Sequence, residues 1–153
     1  MVFVGFVLEN KPIKEIYQVL RKLVGKMVKI DYPVGDFLIR VKNAARARKR
    51  ELIVSKTKAV KAVADALKKE GILESVTEKK GELTVKLAFR RKEPVLLDLK
   101  LVSTPGLRIY MGVEELEKIR KPSILILSTS KGVMSSREAL KVRLGGEVIV
   151  EVL

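Results

Sequence analysis

The chain has 153 residues, with 32 lysines and arginines against 18 aspartates and glutamates, a net charge of +14, and 47% hydrophobic residues. That apolar share supports a packed core and excludes a disordered basic tail, while the charge makes a polyanion, either nucleic acid or an anionic membrane, the default partner. Cysteine, histidine and tryptophan are absent, which removes disulfides, thiolate chemistry, Cys/His metal sites and histidine acid–base catalysis.

No stretch reaches the roughly 18 apolar residues that a membrane span needs. The opening run Met1 to Leu8 is apolar but has no basic residues before it and no small-residue cleavage site after it, so it does not read as a signal peptide. From Lys11 to Met27, Ile13, Ile16, Val19, Leu20, Leu23, Val24 and Met27 recur at helical spacing, which predicts an amphipathic helix in an N-terminal extension, residues 1–26. It reads either as a helix packed on the domain behind it or as a partner-facing arm.

A second helix should begin at Pro33, with Asp31 as a plausible cap and Val34, Phe37, Leu38 and Val41 as its apolar stripe. A basic stretch follows, with Arg46, Arg48, Lys49 and Arg50, and from Arg40 to Lys61 the only acid is Glu51. Such a run is usually a solvated face. Here its self-repulsion points to phosphate contact.

Leu52 to Val54 reads as a short strand. Thr57 to Glu70 reads as a helix stopped by Gly71, and Ile72 to Thr77 with Leu83 to Phe89 as a hairpin turning at Lys79-Lys80-Gly81. The charged segment Arg90 to Pro94 then reads as a linker. Beyond it, Val95 to Val102 alternates as a strand would, Pro105-Gly106 turns, and Leu107 to Tyr110 is extended. Glu114 to Ile119 suggests one helical turn and Ser123 to Leu127 a buried strand. Ser135-Ser136-Arg137-Glu138 reads as a capping box opening a short helix, and Glu147 to Leu153 as a closing strand. The expected class is α+β. An N-terminal α-β-α-β-β domain spans 27–93, and a mostly β domain with a short helix spans 94–153.

No phosphate loop, dinucleotide fingerprint or nucleophile elbow occurs, and the serines have no histidine to activate them. Ser130 beside Lys131 is the one conceivable nucleophile–base pair, but neighbours on an extended loop point apart. The chain is therefore expected to be no enzyme, with no cofactor, no metal and no small-molecule substrate. Its most informative local feature is Ser128-Thr129-Ser130-Lys131-Gly132 after an apolar strand. Hydroxyls there could read base edges and ribose 2′-hydroxyls, with glycine allowing close backbone approach, or could simply close an ordinary turn. Gly145-Gly146 before Glu147 is similarly two-sided. It is either a helix stop or a gap for a nucleic-acid backbone beside an acid that accepts from a base amino group. Aromatic residues make up only 5%, too few for serial base stacking, which favours a structured RNA helix over a single strand.

Several segments together resemble the bacterial small-subunit ribosomal protein eight family, the S-eight family: Ser103-Thr104-Pro105-Gly106-Leu107-Arg108-Ile109-Tyr110, Leu127 to Met134, Arg137-Glu138-Ala139 and Leu144-Gly145-Gly146-Glu147. Pro33 to Ala44 and Lys68 to Leu73 are similar to its first two helices. The resemblance covers about Met27 to Leu153. It implies a protein of the cytoplasmic small ribosomal subunit that binds the central domain of small-subunit rRNA early, helps it fold, and sits beside neighbouring small-subunit ribosomal proteins. In some bacteria, members also repress their own messenger RNA. It implies RNA contacts at Ser128, Thr129, Ser130, Lys131, Gly132, Gly145, Gly146 and Glu147, with further ones at Thr57, Lys58, Arg40, Asn43 and Tyr110. The chain departs from the family pattern at Thr104, where a basic residue is common, at Tyr32, where aspartate precedes the proline, and at Ser55, where many members have proline. Residues 1–26 have no counterpart. The alternative reading is a DNA-binding regulator in which helix 57 to 70 and hairpin 72 to 89 form a recognition helix and wing.

Overall fold

The computed structural model describes residues 32–153. The helix expected over Lys11 to Met27 and the cap expected at Asp31 lie outside them. Helix α1 (Pro33–Arg46) starts with proline in its first turn, where the missing N–H is no loss. Tyr32 occupies the cap position without a side-chain cap bond. Phe37, Leu38, Val41, Ala44 and Ala45 bury one face, leaving Arg40, Asn43 and Arg46 on the other. Strand β1 (Glu51–Ser55) follows, then helix α2 (Lys58–Lys69). Thr57 caps α2, its hydroxyl accepting the Val60 N–H at 3.1 Å. Strands β2 (Leu73–Lys79) and β3 (Glu82–Leu87) form the expected hairpin, and the three strands make an antiparallel sheet in the order β1-β3-β2.

The Arg90 to Pro94 segment is not open chain. Strands β4 (Phe89–Arg90) and β5 (Glu93–Pro94) pair as a two-residue hairpin turning at Arg91-Lys92. The next expected strand is shorter than its alternation suggests, because only β6 (Leu99–Leu101) is sheet. The N–H of Val95 donates to Ala88 O, and those of Leu97 and Asp98 donate to Leu153 O, so these backbone bonds go to the preceding hairpin and to the chain's distant end rather than to a ladder. Then come β7 (Tyr110–Met111), α3 (Val113–Glu117), β8 (Ile124–Thr129), β9 (Gly132–Ser135), α4 (Ser136–Lys141) and β10 (Gly146–Val152). Strand β9 is an addition to the sequence reading. Only one arm of the expected capping box forms: Ser135 Oγ accepts the Glu138 N–H at 3.3 Å.

In the second sheet, β10 is central. It pairs with β8 on one edge and with β7 and β6 in succession on the other, while β9 lies outside β8. Alternation along the strands covers both faces. Ile126, Val150 and Val152 join a large cluster with α1, α2 and the first sheet. Leu125, Leu127 and Val148 face the other way, onto Leu116 and Ala139 of α3 and α4. A bulge between Val148 and Val150 shifts the alternation, so that Ile149 and Val150 both enter the large cluster. Each buried Leu or Ile contributes about 1.5–3 kcal/mol. With both faces covered over the middle of the sheet, the strand ends remain as its polar surface. The α+β class is as expected.

Candidate nucleic-acid interface

The Ser128 to Gly132 segment is the turn of the β8–β9 hairpin. Ser128 and Thr129 end β8, Gly132 opens β9, and Ser130-Lys131 form the tip. Gly132 takes φ +109°, a backbone conformation that suits glycine alone. Two chemistries proposed for the hydroxyls divide between residues. Thr129 Oγ1 donates to Gly132 O at 2.8 Å and accepts the Lys131 N–H at 3.2 Å, closing the turn. Ser128 and Ser130 are exposed, and among the described residues their hydroxyls bond no other side chain or backbone group.

The strand register extends this tip into a row. Glu147 of β10 lies opposite Ser128 of β8 on one side and Tyr110 of β7 on the other, while Ser128 lies opposite Val133 of β9. Cross-strand partners share a face, so Tyr110, Glu147, Ser128 and Val133 form one line, with Ser130 and Lys131 just beyond. Tyr110 is 65% exposed. The Glu147 carboxylate pairs with Arg108, Nη1 to Oε1 at 3.1 Å. Arg108 was not among the expected contact residues. The signal was present in its i, i+2 spacing from Tyr110 on an extended segment, which places both on one side.

The glycine doublet is filled by the protein itself. A Cβ on Gly145 would overlap the Met111 carbonyl oxygen and sit 2.9 Å from Gly112 Cα. One on Gly146 would overlap the Ser128 carbonyl oxygen and sit 3.2 Å from Thr129 Cα. The small residues let β10 and the turn before it lie against β7 and β8. The room they leave is occupied by this chain's own backbone.

The basic run is less one-signed in space than in sequence. Asp98 takes Lys42 Nζ at 3.1 Å and Arg46 at 3.8 Å, Glu93 takes Arg48 at 3.0 Å, and Asp36 takes Arg40 at 3.6 Å. Arg50 lies over the Phe89 ring, 5.1 Å from its centroid. Asp98 and Glu93, distant in sequence, and Asp36, one helical turn away, thus relieve the repulsion that pointed to a polyanion. These pairs are exposed, each worth roughly 0–1 kcal/mol, so phosphate can still compete for the cations. Arg40, Asn43 and Lys49 line one depression between α1 and β1, of about 440 Å³, floored by Leu52 and Ile53. Arg46, Arg48 and Arg50 lie outside it. Thr57 is engaged as a helix cap, and Lys58 beside it is exposed.

Two carboxyls are held below their ordinary range. At Asp98 the main cause is the Leu99 N–H, then Lys42. At Glu78 the hydrogen bond from Lys56 acts first, then that from Lys61 at 3.1 Å. Both lie away from the Ser128 row. Among the described residues no group of three or more acidic side chains is placed to hold a metal ion, and no helix is long and apolar enough to cross a membrane.

A family model described as Ribosomal protein S8 matches residues 32–153. The small ribosomal subunit protein uS8 of Nitratidesulfovibrio vulgaris is 38% identical over 121 residues, which cover 78% of this chain and 96% of that protein. The uS8 protein of Alkalilimnicola ehrlichii is 42% identical over 122 residues, covering 76% and 93%. That of Persephonella marina is 41% identical over 128 residues, covering 76% and 94%. The α+β fold and these matches define a ribosomal protein, a structural component with no enzymatic step. Within that class, the chain belongs to the ribosomal protein S8 family.

Proposed function

We propose that this protein, as a constituent of the small ribosomal subunit, binds the central domain of small-subunit rRNA and supports its folding. Recognition falls to Tyr110, Glu147, Ser128 and the Ser130-Lys131 tip. Arg40, Asn43, Arg46, Arg48, Lys49, Arg50 and Lys58 add phosphate contacts of lower selectivity, and neighbouring small-subunit proteins complete the surroundings. Thr129, Gly132, Gly145 and Gly146 act by shaping the surface, and Thr57 by capping α2. The observation that carries this reading is the pair of exposed, free hydroxyls at Ser128, in line with Tyr110 and Glu147, and at Ser130 on the adjoining hairpin tip. Hydroxyls that donate and accept suit a helix read through 2′-hydroxyls and shallow-groove base edges. A member's own messenger RNA would bind the same surface if it presents the same shape.

The DNA-regulator alternative meets a structural obstacle. Its would-be recognition helix, α2, is preceded by strand β1 rather than by a second helix joined through a short turn, which a helix-turn-helix reader needs. The test compares the full chain binding a central-domain rRNA fragment and a duplex DNA at one salt concentration. Tighter binding to the RNA is expected, and Ser130→Ala should weaken it by about 1–3 kcal/mol, the cost of leaving a polar partner unmet. A preference for DNA, or full affinity in Ser130→Ala, would overturn the assignment.

A further inference from the structure

Arg108 stands beside the Tyr110–Glu147–Ser128 row with its side chain partly exposed. It sits on the extended segment entering β7, two residues before Tyr110, and so on the side that carries Tyr110, Glu147 and Ser128. Its backbone is pinned on both flanks: on the N-terminal side the Thr104 N–H donates to Leu107 O at 2.8 Å and the Leu107 N–H donates to Thr104 O at 3.1 Å. The Ile109 N–H donates to Ser103 Oγ at 2.9 Å, and Ile109 O accepts the Val148 N–H at 2.8 Å. Ser103 is fully buried, so this anchor is rigid.

The guanidinium is fixed as well. Nη1 bonds Glu147 at 3.1 Å, and the group lies over the Tyr32 ring, 5.4 Å from its centroid. The ring is held in turn, because Tyr32 OH donates to Ser103 O at 3.2 Å. Yet the Arg108 side chain remains 42% exposed. Guanidinium carries five N–H donors in a rigid fork, and Glu147 takes one of them here.

Glu147 poses a difficulty for any polyanion at this surface, since a carboxylate in the middle of the row repels phosphate. Arg108 cancels that charge and still presents donors outward. Lys131 lies at the β8–β9 turn, across β10 and β8 from the segment that carries Arg108, so the two backbone positions are between two and three strand spacings apart, roughly 10–14 Å. At that separation they would meet different phosphates.

We propose that Arg108 is a phosphate-contacting residue of the RNA surface, held in place by Glu147 and the Tyr32 ring. This deepens the rRNA-binding reading and rests on it. The prediction separates charge from packing, because losing one phosphate contact changes the dependence of affinity on salt, whereas losing a packing contact does not.

The experiment titrates the full chain and its Arg108→Ala, Arg108→Lys and Tyr32→Leu variants against the central-domain rRNA fragment over a series of salt concentrations. Thermal melts of each variant confirm folding. Arg108→Ala should reduce the magnitude of the log–log salt slope by about 0.7–0.9. Arg108→Lys should retain the slope while losing affinity, because ammonium cannot hold the fork geometry. Tyr32→Leu should keep the slope and lose a smaller part of the affinity. A folded Arg108→Ala variant with the unaltered slope overturns the proposal. Failure of the unmodified chain to prefer this RNA would instead overturn the binding reading beneath it.

Discussion

Replacing Gly146 by alanine separates two explanations of the glycine doublet. Were the glycine there to admit RNA, Gly146→Ala would leave folding intact and impair only binding. The geometry points elsewhere, since the added carbon would overlap the Ser128 carbonyl oxygen and sit 3.0 Å from its carbonyl carbon. Ordinary carbon contacts lie near 3.5–4.0 Å, so β8 and β10 must part by about half an ångström or more. This is where Glu147 and Ser128 register, and it adjoins the buried pair Val148–Leu127. Alanine would otherwise favour a strand over glycine by about 0.5–1 kcal/mol, so any net loss understates the clash. Overpacking of this kind costs about 1–3 kcal/mol. For a domain of this size each kcal/mol lowers the melting temperature by roughly 3–6 °C. Denaturant unfolding of the full chain without RNA is the direct assay, with RNA affinity measured in parallel. Loss of stability is expected first, with binding falling because Ser128 and Thr129 are displaced. Undiminished stability would refute the packing argument, and if RNA binding then failed, the gap would belong to the ligand.

Two further outcomes follow from local chemistry. Thr57→Ala removes the α2 cap and should cost about 1 kcal/mol of stability by chemical denaturation, while changing the RNA salt slope little. A drop in that slope would return Thr57 to the phosphate contacts. The lowered pKa values of Asp98 and Glu78 make both carboxylates stabilising in their charged forms, so their contribution is full above the ordinary values of 3.8 and 4.5 and is lost as pH falls below them. Unfolding midpoints measured between about pH 6 and pH 3 should therefore drop less steeply for Asp98→Asn than for the unmodified chain, and more alike in high salt. Equal slopes would show that the Leu99 and Lys42 contacts do not hold the charge.

The elements with strong local signals were legible in the sequence. Proline at the start of α1, the Gly71 stop after α2 and the apolar stripes of both helices locate these elements to within a residue or two, whereas Thr57, read as the first helical residue, is the cap of α2. Local patterning misled where the backbone's partners were remote. Val95 to Val102 alternates, yet Leu97 and Asp98 bond Leu153, and that pairing leaves no trace near residue 97. Strand β9 is four residues long and merges with the turn and the next helix, so no period develops. The site shows the same division. The Ser128 to Gly132 segment stands out by residue type, but the split between Thr129, which closes the turn, and the free Ser128 and Ser130 requires three-dimensional geometry. The neutralisation of Arg46 and Arg48 by Asp98 and Glu93 crosses about two-fifths of the described chain and is equally hidden.

The placement of β10 has a consequence for synthesis. It is the last described strand to emerge during translation, yet β6, β7 and β8 all hydrogen-bond to it. The three-stranded sheet and the β8–β9 hairpin can pair from neighbouring segments as they are made, since such contacts are local. The line from Tyr110 to Ser128 exists only when Glu147 is threaded between them. A nascent chain stopped short of β10 would carry all 32 lysines and arginines but not the assembled row of Tyr110, Glu147 and Ser128. On the RNA-binding reading proposed above, selective binding would begin only once translation has passed β10.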